Sequence, residues 1–244
     1  MSATAGAAGA RGAPRRLTWW IGVLFAVGST CFFVGPFPGI VELVGAVADA
    51  LVFFVGSIFF TTAAALQWLQ TVNAGPESAR RGAGFRIASL EPRRLDWWSS
   101  GVQFVGTLFF NVDTFRALQQ GLDAQAYDRL VWTPDAVGSA CFLVSGYLAY
   151  IAVSGHLLRP PRVRTPDWNI AAVNLVGCIA FGISAVSAFW VPSEGSVVDL
   201  AAANAFTAFG GLCFLVGAIL LIREPADAPS AKTVDPAVSQ PPGA

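Results

Sequence analysis

Four polar side chains stand inside long apolar runs of this chain: Gln103, Asn174, Asp49 and Asp135. An unpaired polar group in hydrocarbon is costly, so each of them calls for a partner. Gln103 lies three residues before Gly106 and Asn174 three before Gly177, the position that Phe25 holds before Gly28. Carboxamides at such a point suit hydrogen bonds between helices; binding of a solute is the other role open to them. Asp135 lies three residues before Gly138 and Asp49 seven before Gly56, both near helix ends that water can reach. They read as helix-start caps or dipole-stabilised charges, the alternative being a cation or proton site. Asp96 and Asp167 open their helices and read as N-caps.

Other chemistries find too few residues. His156 is the single histidine, so haem held by two histidines of one chain is excluded and zinc has little support. Ser145-Gly146 lacks the leading glycine of an intramembrane serine protease, and no histidine lies in another apolar run. There is no G-x-x-x-x-G-K-[ST], which removes a P-loop nucleotide site. Cys31, Cys141, Cys178 and Cys213 all fall within apolar runs without any C-x-x-C pair, and read as small buried hydrophobes rather than redox or metal groups. The sequence therefore names no catalytic residue, cofactor or metal, and the chain is expected not to be an enzyme.

The elements that must hold these residues are membrane helices. Hydrophobic residues make up 55% of the 244 and charged ones only 12%, well below the quarter or so usual in soluble domains. Six runs, 17–35, 46–69, 95–112, 132–153, 167–191 and 197–222, have the roughly 17–25 residues a bilayer span requires. Each carries one pattern, beginning with "VGSTCFF" from Val27: a glycine, then phenylalanine four residues later. The pairs are Gly28 and Phe32, Gly56 and Phe60, Gly106 and Phe110, Gly138 and Phe142, Gly177 and Phe181, Gly210 and Phe214. Residues four apart share a helix face, and in lipid the close approach of backbones at glycine must supply the packing. A packing device is the first reading; glycines lining a central path or gate is the second.

Odd-numbered runs also align without gaps. "LTWWIGVLFAVGSTCFF" from Leu17 lies over "LDWWSSGVQFVGTLFFN" from Leu95, and "PDWNIAAVNLVGCIAF" from Pro166 keeps the register. The chain reads as an all-α integral membrane protein with three parallel two-helix repeats, near 17–69, 95–153 and 167–222, around a pseudo-threefold axis. In odd-numbered runs the motif glycine falls nine residues after a belt tryptophan (Trp19, Trp97, Trp168), roughly 14 Å along a helix and near the bilayer centre.

The stretch "GVLFAVGSTCFFVG … FFVGSIFFTTAAALQ" resembles the YrhK-like domain, a small bacterial two-helix membrane module with G-S-x-x-F-type signatures. The likeness is best over 21–67 and looser over the other two hairpins. It implies a membrane module without assigned activity and brings no catalytic residue with it; the threefold repetition and the long loop 70–94 depart from a single module.

Charge sets the expected orientation. Net charge is zero, yet 13 of the 15 basic residues precede the first run, lie in 70–94 or 154–166, or follow the sixth, leaving Arg116 and Arg129 alone on the other side. The positive-inside bias puts both termini in the cytoplasm and the protein in the plasma membrane. Segments 1–16 and 223–244 read as disordered cytoplasmic tails. Loop 70–94, with five arginines, would lie against anionic lipid headgroups, the only partner expected besides the bilayer itself. Nothing suggests nucleic acid. The outer segment 113–130 has apolar residues at helical spacing and reads as a short amphipathic surface helix. These features favour a non-enzymatic multi-pass protein of structural, sensory or assembly role; the alternative is a small-solute or ion transporter with its path between the repeats.

Overall fold

The computed structural model describes residues 4–74, 86–88, 90–119, 121–155, 165–191 and 193–223, with backbone alone for 4–14. Its long helices are α1 (Thr4–Val34), α3 (Ala46–Asn73), α4 (Leu95–Ala117), α6 (Thr133–Ser154), α7 (Pro166–Ser187) and α8 (Leu200–Arg223). Short helices α2 (Pro38–Val44) and α5 (Ala124–Tyr127) occupy connections. A π-helical turn, Asp128–Trp132, joins α5 to α6. A two-stranded antiparallel hairpin of β1 (Trp190–Val191) and β2 (Ser196–Val197) bridges α7 and α8.

Five helices are long and apolar enough to cross a membrane: Arg15–Val34, Ala46–Asn73, Ala124–Ser154, Pro166–Ser187 and Leu200–Arg223. That marks the chain as a membrane protein. The sixth expected span, 95–112, forms α4, which has the length at 23 residues but is not among the five. Asp96, Gln103, Asn111, Asp113 and Arg116 make it the most polar of the six long helices.

The long helices form a closed ring in which each packs on its neighbours in chain order, α1–α3–α4–α6–α7–α8, with α8 returning to α1. Glycine pairs set the closest approach within each hairpin. A β-carbon at Gly28 would lie 2.8 Å from the Gly56 carbonyl oxygen, one at Gly138 3.2 Å from that of Gly106, and one at Gly177 3.2 Å from that of Gly210. Residues just before these glycines point outward: Val27, Val55, Val105, Val137, Val176 and Phe209 are 38–47% exposed. The bundle is thus apolar outside, with small residues and phenylalanines inside, as packing in lipid demands. Ring closure uses Gly211, where a β-carbon would meet the Phe33 nitrogen at 2.6 Å, and Gly22 against Ile222.

Some local expectations are corrected. α1 runs through most of 1–16, read above as a disordered tail; the alanine-rich composition favours helix. The segment 113–130 is no separate surface helix: α4 extends to Ala117, Gly121 breaks the chain at φ +77°, and α5 with the π turn leads straight into α6. Run 167–191 stops being helical at Ser187, because 188–191 turn into β1. Residues 75–85, 156–164 with His156, and 224–244 lie outside the described residues.

Candidate functional site

Six phenylalanines meet at the centre of the ring. Phe32, Phe60, Phe110, Phe142, Phe181 and Phe214 come one from each long helix, and none is more than 7% exposed. Their ring centroids lie 4.9 to 6.4 Å apart, mostly edge to face. The helix spacing explains the convergence. Each phenylalanine sits one turn beyond its own glycine, and Phe60, Phe110, Phe142, Phe181 and Phe214 lie against the glycine of the antiparallel partner. Phe32, Phe110 and Phe181 form one triad of rings, and Phe60, Phe142 and Phe214 form a second stacked on it. The void left among them is about 10 Å³, no more than a single water needs.

A cavity opens on each side of this layer. At the base end, where α3, α6 and α8 finish, about 180 Å³ is lined by Gln67, Ser99, Gln103, Ser145, Asp167 and Asn174, among others. Gln103 and Asn174 are therefore brought together, but neither hydrogen-bonds across helices. The Asn174 Oδ1 and Gln67 Oε1 atoms are buried without a partner. The expected amide bridge is absent: the Asn174 Oδ1 atom lies against Gly217 of α8 instead. Hydroxyls bridge instead, where the backbones are closer. Ser145 Oγ donates to the Ser99 carbonyl at 2.8 Å, and Ser99 Oγ donates to the Ser145 carbonyl at 3.0 Å. Ser57 with Thr114 (2.9 Å) and Ser184 with Thr207 (2.6 Å) tie α3 to α4 and α7 to α8.

At the opposite, tip end a cavity of about 330 Å³ takes in Asp49, Asp113, Asp135, Tyr127, Trp132 and Asn204 in its lining. Asp49 stands in the first turn of α3, where the helix dipole favours a carboxylate, but its side chain caps nothing and its Oδ1 is buried and unpartnered. Asp135 lies well inside the continuous helical stretch from Ala124, so it caps no helix start either. Asp113 lies close enough to Asp135 for the two charges to interact. Asp113 falls just past the end of the apolar run 95–112, and its place three residues after Phe110 is the signal in the sequence that it shares that face of the helix.

At the base, Asp96 and Asp167 are not N-caps. Arg94 and Thr165 hold those positions, and Thr165 Oγ1 accepts from the Trp168 amide. Asp96 instead accepts from Arg94, whose Nη1 also donates to Glu91 Oε2 at 2.7 Å and to the Thr71 carbonyl. Burial by itself would lower the Arg94 pKa, yet hydrogen bonds and charge from Asp96 and Glu91 raise it above its usual value. Asn73 further binds the Arg86 backbone through two hydrogen bonds. The described part of loop 70–94 is therefore folded against the base of α3 and α4.

The cysteines are free. Cys31, Cys141 and Cys213 set their β-carbons against Gly56, Gly106 and Gly177, filling the space a side chain would need. Among the described residues no group of three or more His, Cys, Asp or Glu side chains is placed to hold a metal ion. No protein-family model, curated protein or solved structure matches the chain.

Proposed function

We propose that the chain is a non-enzymatic multi-pass protein of the plasma membrane, a sensory or assembly module sealed at its centre. In this reading α4 is the sixth span, the three hairpins are parallel repeats about one axis, and both termini are cytoplasmic. The observation that carries it is the phenylalanine layer, which leaves about 10 Å³ between two larger cavities. A void of that size passes no hydrated solute. The likeness of 21–67 to YrhK-like modules supports the same reading. So does the ring order, since two-helix units repeated in tandem re-enter the membrane in one orientation.

A carrier that opens alternately to each side is the second reading, favoured by polar cavities on both sides of the layer. Flux of potassium and of choline into liposomes separates the two. The sealed module gives rates no faster than protein-free liposomes. Flux above that background, lowered by Gln103→Leu with Asn174→Leu, would replace it with the carrier.

A further inference from the structure

The tip cavity combines three features that belong together chemically. Its volume of about 330 Å³ falls within the range of small-molecule sites and has room for about ten heavy atoms. Asp49, Asp113 and Asp135 line it from three different helices, and among the described residues no Lys, Arg or His does. Most of the remaining wall is apolar, with the aromatic rings of Phe53, Tyr127 and Trp132.

The carboxylates are unsatisfied by the protein. The buried Oδ1 of Asp49 has no hydrogen-bond partner among the described residues, and Asp113 and Asp135 are near enough to feel each other's charge. Carboxylates sharing a poorly solvated space need a counter-charge or must give up their own. The nearest basic residues in sequence, Arg116 and Arg129, are not in the lining. A chelated metal has too few ligands here, because among the described residues no three acidic, His or Cys side chains are placed to share one ion. An organic cation does fit. Its charge is met across several ångströms by a one-signed wall, while its hydrocarbon body packs on aromatic faces that also attract the charge.

We propose that the tip cavity is a binding site for a small organic ammonium ion with an apolar body. The site lies wholly on one side of the phenylalanine layer, so ligand binding there does not depend on whether the bundle transports anything.

Equilibrium binding of radiolabelled phenethylammonium to the full chain in lipid nanodiscs at neutral pH tests this, with neutral 2-phenylethanol, sodium and calcium as competitors. Saturable binding that 2-phenylethanol does not displace is expected. Asp113→Asn with Asp135→Asn should weaken it by roughly tenfold or more, and Asp49→Asn should weaken it also. Val176→Ala, on the outward face of α7, should leave it unchanged and serves as the folded control. No saturable binding, equal displacement by the alcohol, displacement by calcium at equal concentration, or full retention in the Asp113/Asp135 variant would each overturn the proposal. The liposome experiment reads flux and this one occupancy, so either reading can fail without the other.

Discussion

At the residue scale, hydroxyl and glycine carry what charge carries in soluble proteins. The reciprocal bonds of Ser99 and Ser145 join α4 to α6 where both side chains are buried. Such interhelical bonds are worth about 0.6 kcal/mol on average in membranes, because the unfolded reference also finds partners. Ser99→Ala and Ser145→Ala, read by unfolding in mixed micelles, should each cost about that much, since each removes one hydroxyl-to-carbonyl bond and leaves the other; no loss from either would mean the hydroxyls are spectators. Gly211 is a stronger case. Its missing β-carbon makes way for the backbone of Phe32 and Phe33, which cannot swing aside as a side chain could. Gly211→Ala should cost about 1–3 kcal/mol and lower the thermal midpoint. Gly39→Ala, where nothing lies within 4 Å of the added carbon, should leave it unchanged.

At the element scale, α4 is the question. It is flanked in the ring by α3 and α6 and shares the phenylalanine layer, yet its polar residues keep it out of the set apolar enough to cross a membrane unaided. Some of its polar groups have partners on neighbours, with Asn111 accepting from Thr61, Thr114 bonding Ser57 and Asp96 holding Arg94, while Gln103 and Asp113 face cavities inside the bundle. A helix whose polar side faces its bundle can span with lower mean apolarity than a lone helix. Reporter fusions decide. One placed in 116–128 should behave as exported and one in 70–94 as cytoplasmic, since α4 alone separates the two positions; both on the same side would take α4 out of the membrane. Pattern in the sequence located all six long helices, since runs of apolar residues need no tertiary information. It misjudged their ends and connections: 188–191 left the helix to turn into β1 at Trp190, and 113–130 was divided between α4 and the lead into α6. Those ends are decided by turns and packing, not by apolar length.

At the scale of the whole molecule, the ring makes one object of six separate phenylalanines. A single truncation there leaves a hole that the other five rings cannot fill without breaking their contacts. Phe142→Ala should destabilise the bundle by about 3–5 kcal/mol in the manner of buried aromatic truncations. It should also connect the two cavities and raise ion leak through liposomes above that of the wild type. Destabilisation without leak would show that the layer packs the bundle but is not what seals it.

The sequence by itself determined the apolar helices and the motif whose spacing puts glycine and phenylalanine on one face. It also singled out Gln103, Asn174, Asp49 and Asp135 as the polar residues to account for. Helical periodicity and the cost of polar groups in hydrocarbon are enough for that, because both act within one segment. Only the tertiary structure decided what those residues face. The amides line a cavity rather than bond each other, and the Asn174 Oδ1 atom rests against Gly217. Asp49 and Asp135, read as caps, join Asp113 around one space with no basic residue among the described ones in its wall. That convergence depends on the order and spacing of helices around the ring, which no single segment encodes.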